Sequence, residues 1–409
     1  MMRSLSGMEN IVYALEKINN GGCFFALKCR ESINEEMLRR SLLILQEKRP
    51  FLKAKIVKNK FLINKKHASN LYIHKTENCS LFKTIETLLS TSFDENHLYK
   101  FHLIQTVEGS HIVATFNHVI IDGVSGLNLI IDLLSILENL YYGNSANSIK
   151  KQSLSDPVDP YFEHGNSKNI FNIAANEVVA KKTTIEHYQF SEEKTALFID
   201  FSKKNKISVH NLICAISCTL LGSLVKSLDP REKTILCLNP INMRPYLPIK
   251  IDNTQMGYYL SRIDTIYRIS ENYNVIAIAK DLQNQLKNGI NEQQYNDIFY
   301  AANDISRNCT DLYKISDNIL QKKPCVLISN MGAFNIDYSF NHFKIDDLHY
   351  GATIHNIIEN PLSFGAMFVT TNGKMSINFS YLNSPVTNIF IKDTIKKIIL
   401  SIEECSLKI

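Results

Sequence analysis

Tryptophan is absent from the 409 residues, and charge of neither sign dominates. Lys and Arg number 45 against 40 Asp and Glu, a formal +5. That excess is too weak, and too evenly spread, to predict a nucleic-acid partner. No two cysteines are spaced C-x-x-C, and none sits with histidines at zinc-site spacing, so no metal site is expected. The nine cysteines make an odd count, and Cys214 and Cys218 lie in an apolar run. They read as reduced, buried thiols of a cytoplasmic protein rather than a disulfide framework. The G-x-S-x-G elbow, the P-loop, G-x-G-x-x-G and H-E-x-x-H are all missing. Their absence excludes the common forms of serine hydrolase, nucleotide-binding enzyme and zinc protease. The opening MMRSLSGMENIVYAL has neither the apolar core nor the small-residue cleavage site of a secretory leader. The most apolar stretch, 209–225, carries His210 and Asn211 and falls short of the roughly 20 clean residues of a membrane span. A buried helix is expected there.

What remains is an ordinary globular composition, 45% hydrophobic and 21% charged, in a chain long enough for two or three domains. Helical spacing predicts helices over 34–48, 84–90, 126–142, 209–225, 275–287 and 385–401. Asn34 and Ser208 stand at N-cap positions, and Pro50 closes the first of these runs. Strands are expected over 51–63, 100–107, 111–120, 234–238, 263–269, 325–329, 363–370 and 375–381. A polar segment, 143–160, with Asp156-Pro157 and Asp159-Pro160, separates the halves. The class is mixed α/β (α+β) in two parts, 1–160 and 161–409.

Chemistry concentrates in Asn117-His118-Val119-Ile120-Ile121-Asp122-Gly123, at the end of a predicted strand and before a helix. A strand end can hold the His118 imidazole at the rim of a cleft, where an ordinary pKa near 6.5 makes it an available base. Asp122, past the turn, suits local backbone bonding or an arginine partner, and Gly123 permits close backbone approach. H-x-x-x-D alone is a weak signal: His342 and Asp346 repeat it without the glycine. The bland alternative for His118 is a satisfied, partly buried histidine. A second segment, Leu238-Asn-Pro-Ile-Asn-Met-Arg244-Pro-Tyr-Leu-Pro248, sets one arginine beside stiffening prolines. A planar guanidinium so placed can lock a distant carboxylate.

Together, N-H-V-I-I-D-G and N-P-I-N-M-R-P-Y-L-P resemble the condensation-domain, chloramphenicol-acetyltransferase-like superfamily of H-x-x-x-D-G acyltransferases. Three further segments resemble free-standing members, of the alcohol acetyltransferase or polyketide-associated type. They are Arg3-Ser-Leu-Ser-Gly-Met-Glu9, the helix from Asn34 to Leu52, and Val326-Leu-Ile-Ser-Asn-Met-Gly332. The resemblance implies two lobes with an active-site tunnel between them. It implies His118 as catalytic base, Asp122 as structural carboxylate and Arg244 as its partner. It also implies transfer of an acyl group from a thioester, acyl-CoA or a phosphopantetheinyl acyl-carrier protein, to a hydroxyl or amine, with no permanently bound cofactor and a monomeric protein. Gly123, Ser125, Ser329 and Asn330 are the candidate oxyanion donors, Tyr258 and Tyr259 candidate tunnel residues, and Asn117 a further oxyanion or tunnel candidate.

Departures are visible too. Asn117 stands where many relatives carry a first histidine, and Arg49 where a histidine is common. The D-F-G-W-G element of the plant branch is missing. Two other readings stay open: a non-catalytic binding module on the same fold, and an amide-forming condensation enzyme acting on carrier-bound substrates.

Overall fold

The computed structural model describes residues 2–19, 21–63, 70–75, 80–91, 93, 96–145, 149–162, 182–271, 273–308, 323–334, 340–354, 358 and 360–407. Part of the expected linker (146–148), Cys79 and Cys309 lie outside them.

The N-terminal half contains β1 (Met2–Ser4), α1 (Gly7–Asn19), β2 (Cys23–Cys29), α2 (Glu35–Lys48), β3 (Ala54–Val57), β4 (Lys60–Ile63), β5 (Leu71–Lys75), α3 (Leu81–Leu89), β6 (Tyr99–Thr106), β7 (Gly109–Phe116) and α4 (Gly123–Tyr141). The C-terminal half contains β8 (Thr183–Gln189), α5 (Glu192–Lys204), α6 (Val209–Leu228), β9 (Thr234–Asn242), β10 (Leu260–Arg268), α7 (Val275–Asn291), α8 (Tyr295–Asn308), β11 (Cys325–Phe334), β12 (Ile345–Ala352), β13 (Phe364–Thr371), β14 (Lys374–Leu382) and a closing helix, Pro385–Leu407.

Two mixed sheets organise these elements. One runs β12-β2-β7-β6-β5, the other β10-β9-β11-β13-β14-β8, and a small β1-β4-β3 sheet sits beside the first. Strand β12 comes from the C-terminal half yet pairs antiparallel with β2 along its whole length. A division of the chain at 160 is therefore crossed at this strand. The exchange is tied down again, because the Tyr350 hydroxyl on β12 donates to the Ser329 carbonyl on β11 at 2.7 Å. Asn378 on β14 donates to the Tyr350 carbonyl at 2.9 Å.

Each sheet is covered by a long apolar helix. Helix α4 buries Leu129, Ile130, Leu133, Leu134 and Leu137 in the first core. Helix α6 buries Leu212, Ile213, Ala215, Ile216 and Leu221 in the second. Both are long and apolar enough by composition to cross a membrane, but here their apolar surface faces sheet. Capping works as the residue types dictate: Asn34 accepts from the Met37 N–H and Ser208 from the Asn211 N–H, each at 3.0 Å.

Several boundaries differ from expectation for physical reasons. The segment 51–63 is a 3-10 turn followed by the hairpin β3–β4, because Lys58 and Asn59 both adopt positive φ. Strand β7 stops at Phe116, and His118–Ile120 form a 3-10 turn. Helix α4 begins at Gly123, three residues before the expected start. Arg49 is buried; it pairs with Asp132 on α4 and donates to the Lys150 carbonyl at 2.7 Å.

Gly126 sits where α4 crosses β2. A Cβ there would fall 2.1 Å from the Phe25 ring. Gly126→Ala is expected to lower unfolding free energy by about 1–3 kcal/mol despite alanine's better helix propensity, read from urea denaturation.

Candidate active site

The turn that ends β7 is built by its own side chains. Asn117 Oδ1 accepts from the Val119 N–H at 3.1 Å and so shapes the 3-10 turn. The His118 N–H donates to Glu16 Oε2 on α1 at 2.6 Å. His118 Nδ1 lies 2.6 Å from the Ile121 carbonyl oxygen. A carbonyl can only accept, so Nδ1 carries the proton and Nε2 holds the lone pair. Burial pushes the imidazole below its ordinary value, partly opposed by the Ile121 bond and the Asp122 charge. The ring is therefore neutral at pH 7. Nε2 has no protein partner among the described residues.

Asp122 does not touch the imidazole. It caps α4: Oδ1 accepts from the Ser125 N–H and from the Ser125 hydroxyl, each at 2.8 Å. Its other oxygen accepts from Arg244 Nη1 at 2.7 Å and from the Tyr259 N–H at 3.2 Å. The pair is almost wholly excluded from water, at 0% and 3% side-chain exposure. Arg244 is held further by the Gln255 carbonyl at 2.9 Å and by Asn242 at 3.3 Å, and its guanidinium lies 4.3 Å from the Tyr259 ring centroid. Gly257, with φ of +148°, turns the chain so that Tyr258 and Tyr259 take different sides. Tyr259 packs under Arg244, whereas Tyr258 meets the His118 ring edge-on at 5.6 Å.

A cavity of about 240 Å³ opens between the lobes at this point. One wall is a face of α1, with Ile11, Val12, Leu15 and Glu16. Others come from Phe25 on β2, Pro240 and Asn242 at the end of β9, Leu327, Ser329, Asn330 and Met331 on β11, Tyr350 to Ile354, and Met367 on β13. His118, Gly123, Tyr258, Ser329 and Asn330 all line it. Gly123 lies under Met331, whose sulfur would sit 2.6 Å from an added Cβ.

Of the expected oxyanion donors, Ser125 lies elsewhere: its hydroxyl is spent in the α4 cap, it is fully buried, and it does not line the cavity. Asn117 does not line the cavity either, and its Oδ1 is used in its own turn. Ser329 Oγ receives the Tyr350 hydroxyl at 3.1 Å, and Asn330 Oδ1 accepts from the Gly332 N–H at 2.7 Å. The second H-x-x-x-D lies apart, with His342 stacked on Tyr141 and Asp346 paired with Arg30. No group of three metal-ligating side chains occurs among the described residues.

Glu16 escaped the reading of the sequence. It occupies a position that the apolar face of α1 (Met8, Ile11, Val12, Leu15) assigns to the core, and that break in the pattern was the available signal. Burial pushes its carboxyl up to about 8, only partly opposed by the His118 N–H.

Two consequences are measurable. Arg244→Leu leaves Asp122 buried without its cation and should cost about 3–5 kcal/mol in chemical denaturation, with Arg244→Lys recovering only part. Glu16 is protonated in both states below its ordinary pKa of 4.5. Between that value and about 8 the unfolded chain ionises and the folded chain does not, so stability falls as pH rises. Melting curves of Glu16→Gln against wild type should therefore coincide at pH 4 and separate in the variant's favour towards pH 8.

Residues 180–380 match the family model described as phthiocerol/phthiodiolone dimycocerosyl transferase C-terminus. No curated protein sequence matches the chain at a significant level. Polyketide synthase associated protein 5 from Mycobacterium tuberculosis superposes with a TM-score of 0.69 at 14% identity, over 99% of this chain and 97% of that one. The first condensation domain of the calcium-dependent antibiotic synthetase, in complex with a substrate analogue, gives 0.72 at 10% identity over 99% and 96%. Trichothecene 15-O-acetyltransferase from Fusarium sporotrichioides gives 0.67 at 11% over 98% and 95%. The chain thus has the two-lobed fold of the condensation-domain, chloramphenicol-acetyltransferase-like superfamily that its H-x-x-x-D-G and S-N-x-G segments resemble.

Proposed function

We propose that the protein is an acyltransferase that moves an acyl group from a thioester to a hydroxyl or amine, with His118 as general base. The observation that carries this reading is the His118 ring itself: Nδ1 fixed on the Ile121 carbonyl, Nε2 without a protein partner among the described residues, on the wall of a cavity between two lobes. The donor is a CoA ester or a carrier-bound phosphopantetheinyl ester, a co-substrate rather than a resident cofactor.

In this reading the acceptor X–H enters beside Nε2. The imidazole takes its proton as X attacks the thioester carbonyl, a role worth typically 10²–10⁴-fold. The carbonyl π pair moves to oxygen. Collapse restores the carbonyl and expels the thiolate, which receives the proton from His118. Asp122 is a positioning residue: it holds the start of α4 to the Arg244 turn and leaves the imidazole free to cycle. The apolar walls exclude water from the thioester, which favours transfer over hydrolysis.

The test is thiol release from short to long acyl-CoAs, with and without a mixed pool of alcohols and amines, repeated with acyl-carrier donors. Wild type should release thiol in an acceptor-stimulated reaction, and His118→Ala should lose at least about 10²-fold of it. No release from either donor class would overturn the reading. Because burial lowers the His118 pKa, the base stays neutral down to pH 6.5, and the acid limb of the rate profile should lie below that value.

A further inference from the structure

Three polar side chains line the cavity around the His118 turn. His118 contributes Nε2. Tyr258 brings its hydroxyl on a ring packed edge-on against the imidazole, 5.6 Å between centroids. Glu16 brings a carboxyl whose Oε2 is already spent on the His118 N–H at 2.6 Å. That bond fixes the carboxyl beside the imidazole turn, and Glu16 lines the cavity. Among the described residues neither Oε1 nor the Tyr258 hydroxyl has a protein partner, and no cation pairs with Glu16.

A buried acid without a cation, on the apolar face of a helix and near its C-terminal end, is costly if ionised. A neutral carboxylic acid avoids that cost, and its geometry is then set. Oε2 is the carbonyl oxygen that accepts from His118, and Oε1 carries a proton that it can donate into the cavity.

Building on the acyl-transfer reading above, we propose that Glu16, as the neutral acid, and Tyr258 are the hydrogen-bond donors that stabilise the tetrahedral oxyanion. As the acceptor oxygen or nitrogen bonds to the thioester carbon and its proton goes to Nε2, negative charge develops on the former carbonyl oxygen. Both groups donate to it and both keep their protons. When the carbonyl re-forms, the C–S bond breaks and the thiolate takes the proton from His118. Donors aimed in advance at developing charge in a dry site accelerate a reaction more than most other catalytic devices. Ser329, Asn330 and the Gly123 N–H, which also line the cavity, are not needed for this role.

The carboxyl belongs in its acid form below about 8, where burial places it. The titratable groups around it account for no competing charge. On α1 itself, Glu9 pairs with Arg3, and the Lys17 ammonium lies over the Tyr13 ring. On the turn and α4, His118 is neutral and Asp122 is paired with Arg244. On β10, Arg262 lines the same cavity and is paired with Asp264. Asp159 accepts the Met8 N–H, Cys23 on β2 is held as a thiol by burial, and Asp297, Asp304 and Arg307 lie on the packed helix α8.

The experiment measures kcat against pH from 5 to 10 with the donor and acceptor that wild type turns over best, for wild type, Glu16→Gln, Glu16→Leu and Tyr258→Phe, each first checked by thermal melting. The expected results are specific. Wild-type kcat falls above pH 8, because an ionised Glu16 repels the oxyanion. Glu16→Gln, which keeps an acceptor for the His118 N–H and an N–H donor for the cavity, retains most of the rate and loses that alkaline limb. Tyr258→Phe and Glu16→Leu each lose about 10²-fold or more in kcat with little change in KM. A purely structural Glu16 predicts the opposite pH behaviour, since an ionised carboxylate would hold the His118 N–H more strongly. A flat profile above pH 8, an alkaline limb unchanged in Glu16→Gln, or a folded Tyr258→Phe with near wild-type kcat would overturn the proposal while His118-dependent turnover kept the acyl-transfer reading. Absence of turnover by wild type would remove both.

Discussion

Everything about the cleft depends on one buried ion pair. Asp122 and Arg244 lie in different lobes, at the first residue before α4 and the first turn after β9, and meet at 2.7 Å with almost no exposure to water. Burying two charges is expensive, so such a pair is better understood as a device that sets a single register than as a source of net stability. Its remaining bonding capacity is used in the same sense. The Ser125 cap, the Tyr259 N–H, the Gln255 carbonyl and the Tyr259 ring each anchor a further piece of one lobe or the other to it. The His118 turn on one side and the Gly257–Tyr259 turn on the other are thereby brought together at the cavity.

The strand exchange reinforces that registry. Strand β12 leaves its own half to extend the sheet of the other, while its neighbours in the chain, β11 before it and β13 after it, stay in the larger sheet. A cavity enclosed by both lobes is then lined mostly by apolar side chains, with His118, Glu16 and Tyr258 among its polar ones. Exclusion of water chiefly sets the protonation states of the polar side chains there: a neutral imidazole, a neutral carboxyl and a phenol.

Much of this was legible in the sequence because local rules act locally. The N-caps Asn34 and Ser208, the apolar stripes of α4 and α6, and the adjacent strands β6 and β7 follow from spacing alone. His118, Asp122, Gly123 and Arg244 stood out by motif, and they converge in space. Other parts were hidden for identifiable reasons. Strand β2 reads CFFALKC, buried on both faces, so it lacks the alternation that marks a half-exposed strand. Strand β12 pairs with a strand far away in the chain, a partnership no window of sequence contains. Ser125 carries the right chemistry for an oxyanion donor, but its capping bond takes the hydroxyl out of the cavity. Glu16 was masked by its company in an apolar helix, where only three-dimensional proximity to His118 gives it meaning.

The central claim is that His118 presents a neutral imidazole with its lone pair on Nε2 to the inter-lobe cavity. Nitrogen-15 correlation spectra of the imidazoles, with His118→Ala used to assign the resonance, measure this directly. The account predicts a neutral Nδ1–H tautomer at pH 7 that persists below pH 6.5. A proton on Nε2 at neutral pH, whether as the other tautomer or as imidazolium, would contradict it.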